Sequence, residues 1–127
     1  MKQASLGCVS VAIVLLSIAG MPTTAHAHHS FAMFNQSESV SLRGVLLKVE
    51  WTNPHVYFLV QVAGSDGTVQ SYTIEGGSVN KMVRAGWKPN TLKVGEKVSF
   101  VIHPTRDGKP GGMLVSVKRE DGTVYKG

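Results

Sequence analysis

The sequence predicts an all-β domain with one short helix, folded as an OB-like five-stranded barrel, on three observations. Five short runs rich in β-branched and aromatic residues alternate with period two, and Gly, Pro, Asn and Asp separate them at short intervals. The one helix-period stretch falls between the third run and the fourth. Three strands, a short helix and two strands is the order of an OB barrel, in which the helix plugs one end. A small open sandwich is the competing topology.

The first run, SVSLRGVLLKVEW (39–51), sets Val40 and Leu42 against Ser41 and Arg43. Gly44 interrupts it, as a bulge or bend in a long coiled strand would. The second, HVYFLVQV (55–62), places Val56, Phe58, Val60 and Val62 on one face. Asp66-Gly67 then gives a hairpin signal leading into TVQSYTIE (68–75). Ser78 is placed to cap a short helix whose apolar face is Val79, Met82 and Val83, and Gly86 stands where a left-handed cap ends it. The last two runs are EKVSFVIH (96–103) and MLVSVKRE (113–120), and Asp121-Gly122 can turn the tail back as a short extra strand.

The amino end has a different character. Lys2 precedes thirteen apolar or small residues, Cys8 to Gly20, and Ala25-His26-Ala27 has the small-x-small form of a cleavage site. Thirteen residues fall short of the roughly 20 needed to span a bilayer core. The expectation is a signal peptide over 1–27, an amino-terminal arm over 28–37 and the barrel over 38–127. The product is then periplasmic and keeps no membrane span after cleavage. Cys8 precedes the apolar run, so a lipoprotein reading fails on order. Cys8 is the only cysteine, and its loss with the leader excludes disulfides, thiolate chemistry and cysteine-ligated zinc.

Without Lys2 the chain carries 12 basic and 8 acidic side chains. The basic residues are scattered, with no block of like charge, so nucleic acid is not the expected partner. A mild preference for anionic partners survives. Nucleophile elbows, phosphate-binding loops and zinc-protease motifs do not occur, and no two acids are paired by spacing for acid–base work. Binding is expected rather than catalysis.

In an OB barrel the loop after the first strand and the loop between the last two strands lie near each other, and ligands dock there. Each of those loops here adjoins a His and a Pro: Pro54-His55 at one, His103-Pro104 at the other. Cleavage after Ala27 would also leave His28 with a free α-amine beside its imidazole, followed by His29. Imidazole and amine nitrogens in a planar set suit copper(II), and thioethers such as Met33 suit copper(I). The candidate metal ligands are therefore His28, His29, His55 and His103, with copper the first candidate cofactor. Met82 and Met113 have structural explanations, Met82 on the helix's apolar face and Met113 in alternation with Val115 and Val117.

A second class of function competes. In it the histidines are packing residues, and Trp51, Asn53, Trp87, Arg106 and Lys109 form the contact surface of an accessory module. The partner is then another periplasmic protein or an anionic small ligand. Each of those residues also has a plain structural role: Asn53-Pro54 shapes a turn, and both tryptophans can be core or rim aromatics.

Five motifs occur together and in order: HHSFAMF (28–34), WTNPH (51–55), EGG (75–77), AGW (85–87) and PTRDG (104–108). On these the mature chain resembles a family of small exported bacterial proteins, domain-of-unknown-function family 6152. The resemblance implies export and a compact β domain and brings no activity with it. The family's pattern has aspartate after the Met-Phe of the first motif, where this chain has Asn35. A looser likeness, at the level of fold, is to periplasmic copper- and silver-binding chaperones, which bind through His, Met and a tryptophan face; His55, Met33 and Trp51 are the matching residue types.

Overall fold

Residues 29–127 are described in the structure, a computed structural model. The expected leader and His28 lie outside the described residues. A turn of helix, α1 (His29–Ala32), precedes β1 (Val40–Glu50), β2 (Tyr57–Ala63) and β3 (Val69–Glu75). Then come α2 (Val79–Arg84), β4 (Lys97–Pro104), β5 (Gly111–Arg119) and a short β6 (Val124–Lys126).

Each strand puts its alternate apolar side chains on one side, so the sheet has a single apolar face and buries it by curling. β1 pairs antiparallel with β2 and with β4, β2 with β3, and β4 with β5. A parallel contact of Thr73–Glu75 with Gly111–Met113 joins β3 to β5 and closes a five-stranded barrel. This is the OB-like arrangement the element order predicts. β6 adds antiparallel to β5 outside the ring, as the Asp121-Gly122 turn suggests.

The interior is filled by Leu42, Leu46, Phe58, Val60, Ile74, Val98, Phe100, Ile102, Leu114 and Val117 from the strands, and by Val56 just before β2. Phe58 packs at its centre, 5.4 Å from Trp87 and 5.8 Å from Phe100 between ring centroids. Each such side chain taken fully out of water stabilises the fold by about 1.5–3 kcal/mol before entropy is charged against it.

α2 closes the end left open between β3 and β4. Ser78 caps it by accepting from the Lys81 amide at 3.3 Å, and Gly86 ends it at φ +90°. Met82 is fully buried and Val79 packs against the core, but Val83 is 53 % exposed. With six residues the helix has room for only a narrow buried stripe.

Two local expectations are corrected. Gly44 is not the bulge: the register shift in β1 lies between Leu46 and Lys48. Glycine is needed at 44 because a Cβ there would stand 2.3 Å from the Gln61 carbonyl oxygen of β2. Met113 does not share a face with Val117. The β4–β5 register shifts between Val101 and Ile102, which sends Leu114 and Val117 inward and leaves Met113 half-buried on the outer surface.

Candidate functional site

The amino-terminal arm explains where a site can form. Phe34 is 4 % exposed and makes an isolated bridge with Thr105 in the β4–β5 loop. The Asn35 amide donates to Pro104 O at 2.8 Å, and the Arg106 amide to Met33 O at 2.9 Å. Arg106 Nε also donates to Ala32 O at 3.1 Å. These bonds pin residues 32–35 along the loop. One step before them, Phe31 lies over a groove of about 300 Å³ whose other walls include His55, Glu75, Gly77, Lys81 and Met113.

The β1–β2 loop delivers His55 to that groove. Asn53 Oδ1 accepts the Val79 amide at 3.1 Å, which ties the loop to the first turn of α2. The Val56 amide donates to Gly77 O, and the Gly76 amide donates back to Val56 O. So held, His55 Nδ1 sits 2.8 Å from Glu75 Oε1 and 3.2 Å from Gly76 O. A carbonyl oxygen can only accept, so Nδ1 carries the hydrogen and the neutral ring keeps its lone pair on Nε2. The Tyr57 hydroxyl also bonds Glu75. Burial, then the charge and hydrogen bond of Glu75, then the charge of Glu50 raise Tyr57 above the ordinary tyrosine range and keep it a donor. Glu75 therefore orients His55 while being held by Tyr57.

His103 is fixed in the same manner but elsewhere. Its Nδ1 lies 2.7 Å from Glu38 O, so its lone pair is likewise on Nε2. Across the outer surface the register runs Tyr57, Glu75, Met113, His103 over four neighbouring strands. His103 is thus two strands from Glu75, roughly 10 Å at the usual strand spacing. It does not line the groove that His55 lines. Among the described residues no group of three or more His, Cys, Asp or Glu side chains is placed to hold a metal ion. His29 opens α1, two residues before Phe31. A second hollow, about 320 Å³ on the outside of β1–β3, borders Lys48, Glu50, Tyr57 and Thr73 and carries no His or Met donor.

Of the residues considered for the alternative contact surface, Trp87 lies inside the barrel and the others at least partly outside it. Trp87 is 2 % exposed, packs 5.1 Å from Tyr125 and donates its Nε1 hydrogen to Lys126 O at 2.7 Å, so it is a core residue. Trp51 is half-buried against the core. Asn53 braces a loop, Arg106 holds the arm, and Lys109 pairs with Asp107 at 3.0 Å on the open surface. Sequence reasoning missed Glu75, Tyr57 and Phe31 as neighbours of His55. A signal for the first two existed in the alternation, since both fall on the outward phase of their strands at their open ends.

No curated protein matches the chain. A family model described as a family of unknown function, DUF6152, matches residues 14–116, most of its length. That match covers the barrel from β1 through most of β5 together with the arm, and the chain belongs to the family of unknown function DUF6152.

Proposed function

We propose that the protein is an exported, periplasmic binding protein whose groove between arm and barrel takes a transition-metal ion, copper first. One observation carries this reading: His55 has its Nδ1 hydrogen committed to Glu75 and Gly76 O, which leaves Nε2 as the donor atom in a groove that Met113 also lines. A carboxylate behind an imidazole fixes its tautomer and orientation, as in many metal sites. Imidazole and thioether together suit copper in both oxidation states. Two donors do not complete a coordination sphere. The rest are assigned to the amino terminus, because Phe31 borders the same groove and His28, with the α-amine that cleavage after Ala27 would create, is three positions earlier in the chain. His103, across Met113 from Glu75, is a peripheral ligand at most.

Calorimetric titration of the exported chain with copper(II) and copper(I) tests the reading, with its intact mass fixing the terminus. Binding tighter than tens of micromolar is expected, on a chain beginning at His28. Glu75→Gln should weaken it about tenfold, the usual scale for an outer-shell partner, and His55→Ala more. Weaker binding, or equal binding by the His55→Ala chain, would sink it. The alternative, an accessory module for another periplasmic protein or an anionic small ligand, keeps Trp51, Asn53, Arg106 and Lys109 as contacts, and the exposed Phe31 and Met33 of the arm add to it. A partner that stays bound through chelator treatment would favour that alternative.

A further inference from the structure

The charges are not distributed evenly over the barrel. Glu50, Glu96, Asp107, Glu120 and Asp121 are each within ion-pair distance of Lys or Arg. The excess of positive charge is therefore left on side chains with no acidic partner among the described residues. Three of them, Lys97, Lys118 and Lys126, project from one side of the barrel, the outer face of β4, β5 and β6.

Register shows how this face is laid out. Arg43, Ser99, Lys118 and Val124 form one row across β1, β4, β5 and β6. Ser41, Val101, Ser116 and Lys126 form the next. Lys97 stands beside the first row, opposite Val45. The one acid on the face is Glu120, 3.7 Å from Arg43, with both side chains well exposed. Ser41, Ser99 and Ser116 lie between the cations, together with Val101 and Val124. A shallow hollow of about 210 Å³ lies among Arg43, Lys97, Ser99, Lys118 and Arg119, with Glu120 at its wall beside Arg43. The Trp87 bond to Lys126 O fastens β6 to the core.

We propose that this face docks on a membrane surface of anionic phospholipid, with a headgroup phosphate seated in the hollow between Arg43, Lys97 and Lys118. Charge and shape together select this occupant. The cations spread over neighbouring strands in two dimensions on a hydrogen-bonded sheet, which suits a surface bearing many like charges better than a single ion. An acidic peptide would need a groove or a free strand edge, and Trp87 already engages the outer strand through Lys126 O. Association of this kind is electrostatic and weakens with salt.

The test is flotation of the full chain with vesicles of phosphatidylcholine alone or mixed equally with phosphatidylglycerol. The apolar run at 8–20 would enter both kinds of vesicle, so the difference between them is the readout. The full chain should partition at least tenfold better into the anionic vesicles in dilute buffer, and lose that preference at about 0.5 M salt. Neutralising Lys97, Lys118 and Lys126 to Gln should lower the partition coefficient about fivefold per cation. All three side chains are on the surface, and an unchanged melting temperature confirms that the fold is kept. Equal partition into both vesicles, or an unaltered preference in the triple variant, overturns the proposal. So does retention on immobilised polyglutamate without any preference for anionic vesicles.

Discussion

At the scale of single residues, close contact decides more than side-chain chemistry does. Gly44 lies where β1 and β2 approach most tightly, and an added Cβ would meet the Gln61 backbone at 2.3 Å with Val60 Cγ1 at 2.8 Å. Neither neighbour is the free end of a flexible chain, so the strands themselves must part. Gly44→Ala should therefore destabilise the barrel by about 2 kcal/mol or more, the usual scale of overpacking, and lower the melting temperature by roughly 10 °C. A melting curve that coincides with the wild type's would show that the two strands can separate freely. The sequence showed that this glycine was special and misplaced the reason, because alternation reveals a break in pattern and not the distance to the next strand. The same limit applies to Glu75. Its outward phase was legible, but its bond to His55 depends on the Asn53 and Val56 contacts that bring a loop to the end of β3. Met113 was misread because one residue of register shift, invisible in composition, exchanges inside for outside.

At the scale of elements, the strands and α2 were legible because each carries its own periodicity and caps. The arm was only partly so. Phe31 and Phe34 stand in the same HHSFAMF motif, yet Phe34 is buried and Phe31 stands half-exposed over the groove. The difference comes from the β4–β5 loop, whose Thr105 and Arg106 pair with residues 33 and 34 while Phe31 lies beyond the last of those bonds. The arm is thus a short segment held by one buried ring and a few hydrogen bonds, and it should open separately from the barrel. Phe34→Ala is expected to speed hydrogen exchange at the Asn35 and Arg106 amides at least tenfold. The melting temperature should fall by only a few degrees, since the barrel core does not include Phe34. Slow exchange preserved at both amides would show that the backbone bonds alone hold the arm. If the metal reading holds, the same substitution also weakens copper binding, because it frees the segment that carries His28.

For the whole molecule, stability against acid rests on carboxylates that fix turns and strand ends. Glu96 has its carboxylate pushed up by burial, but the Arg119 hydrogen bond, the Lys93 amide and the Arg119 charge outweigh this and hold it below the ordinary glutamate range. Asp66, Asp107 and Asp121 are lowered as well, chiefly by hydrogen bonds from Thr68, Lys109 and Thr123 within their own turns. A group whose folded pKa is depressed contributes stability that is complete above its unfolded pKa and is lost as pH falls through the folded one. All four shifts have this sign, so the barrel should hold its full stability above about pH 5 and lose it progressively below pH 4. Glu96 joins distant parts of the chain, since Arg119 ends β5 and Glu96 enters β4, whereas the three aspartates act within single turns and on the open surface. The acid limb should therefore depend on Glu96 more than on any of the turn aspartates. Glu96→Gln is expected to lower the melting temperature at pH 7 by several degrees, in line with about 1.5–3 kcal/mol for a charge-assisted hydrogen bond. Between pH 5 and pH 3 the variant's curve should converge on the wild type's, because protonation removes the same interaction from both. Parallel curves over that range would mean that Glu96 keeps its proton-free form throughout, and the acid sensitivity would then belong to the turns.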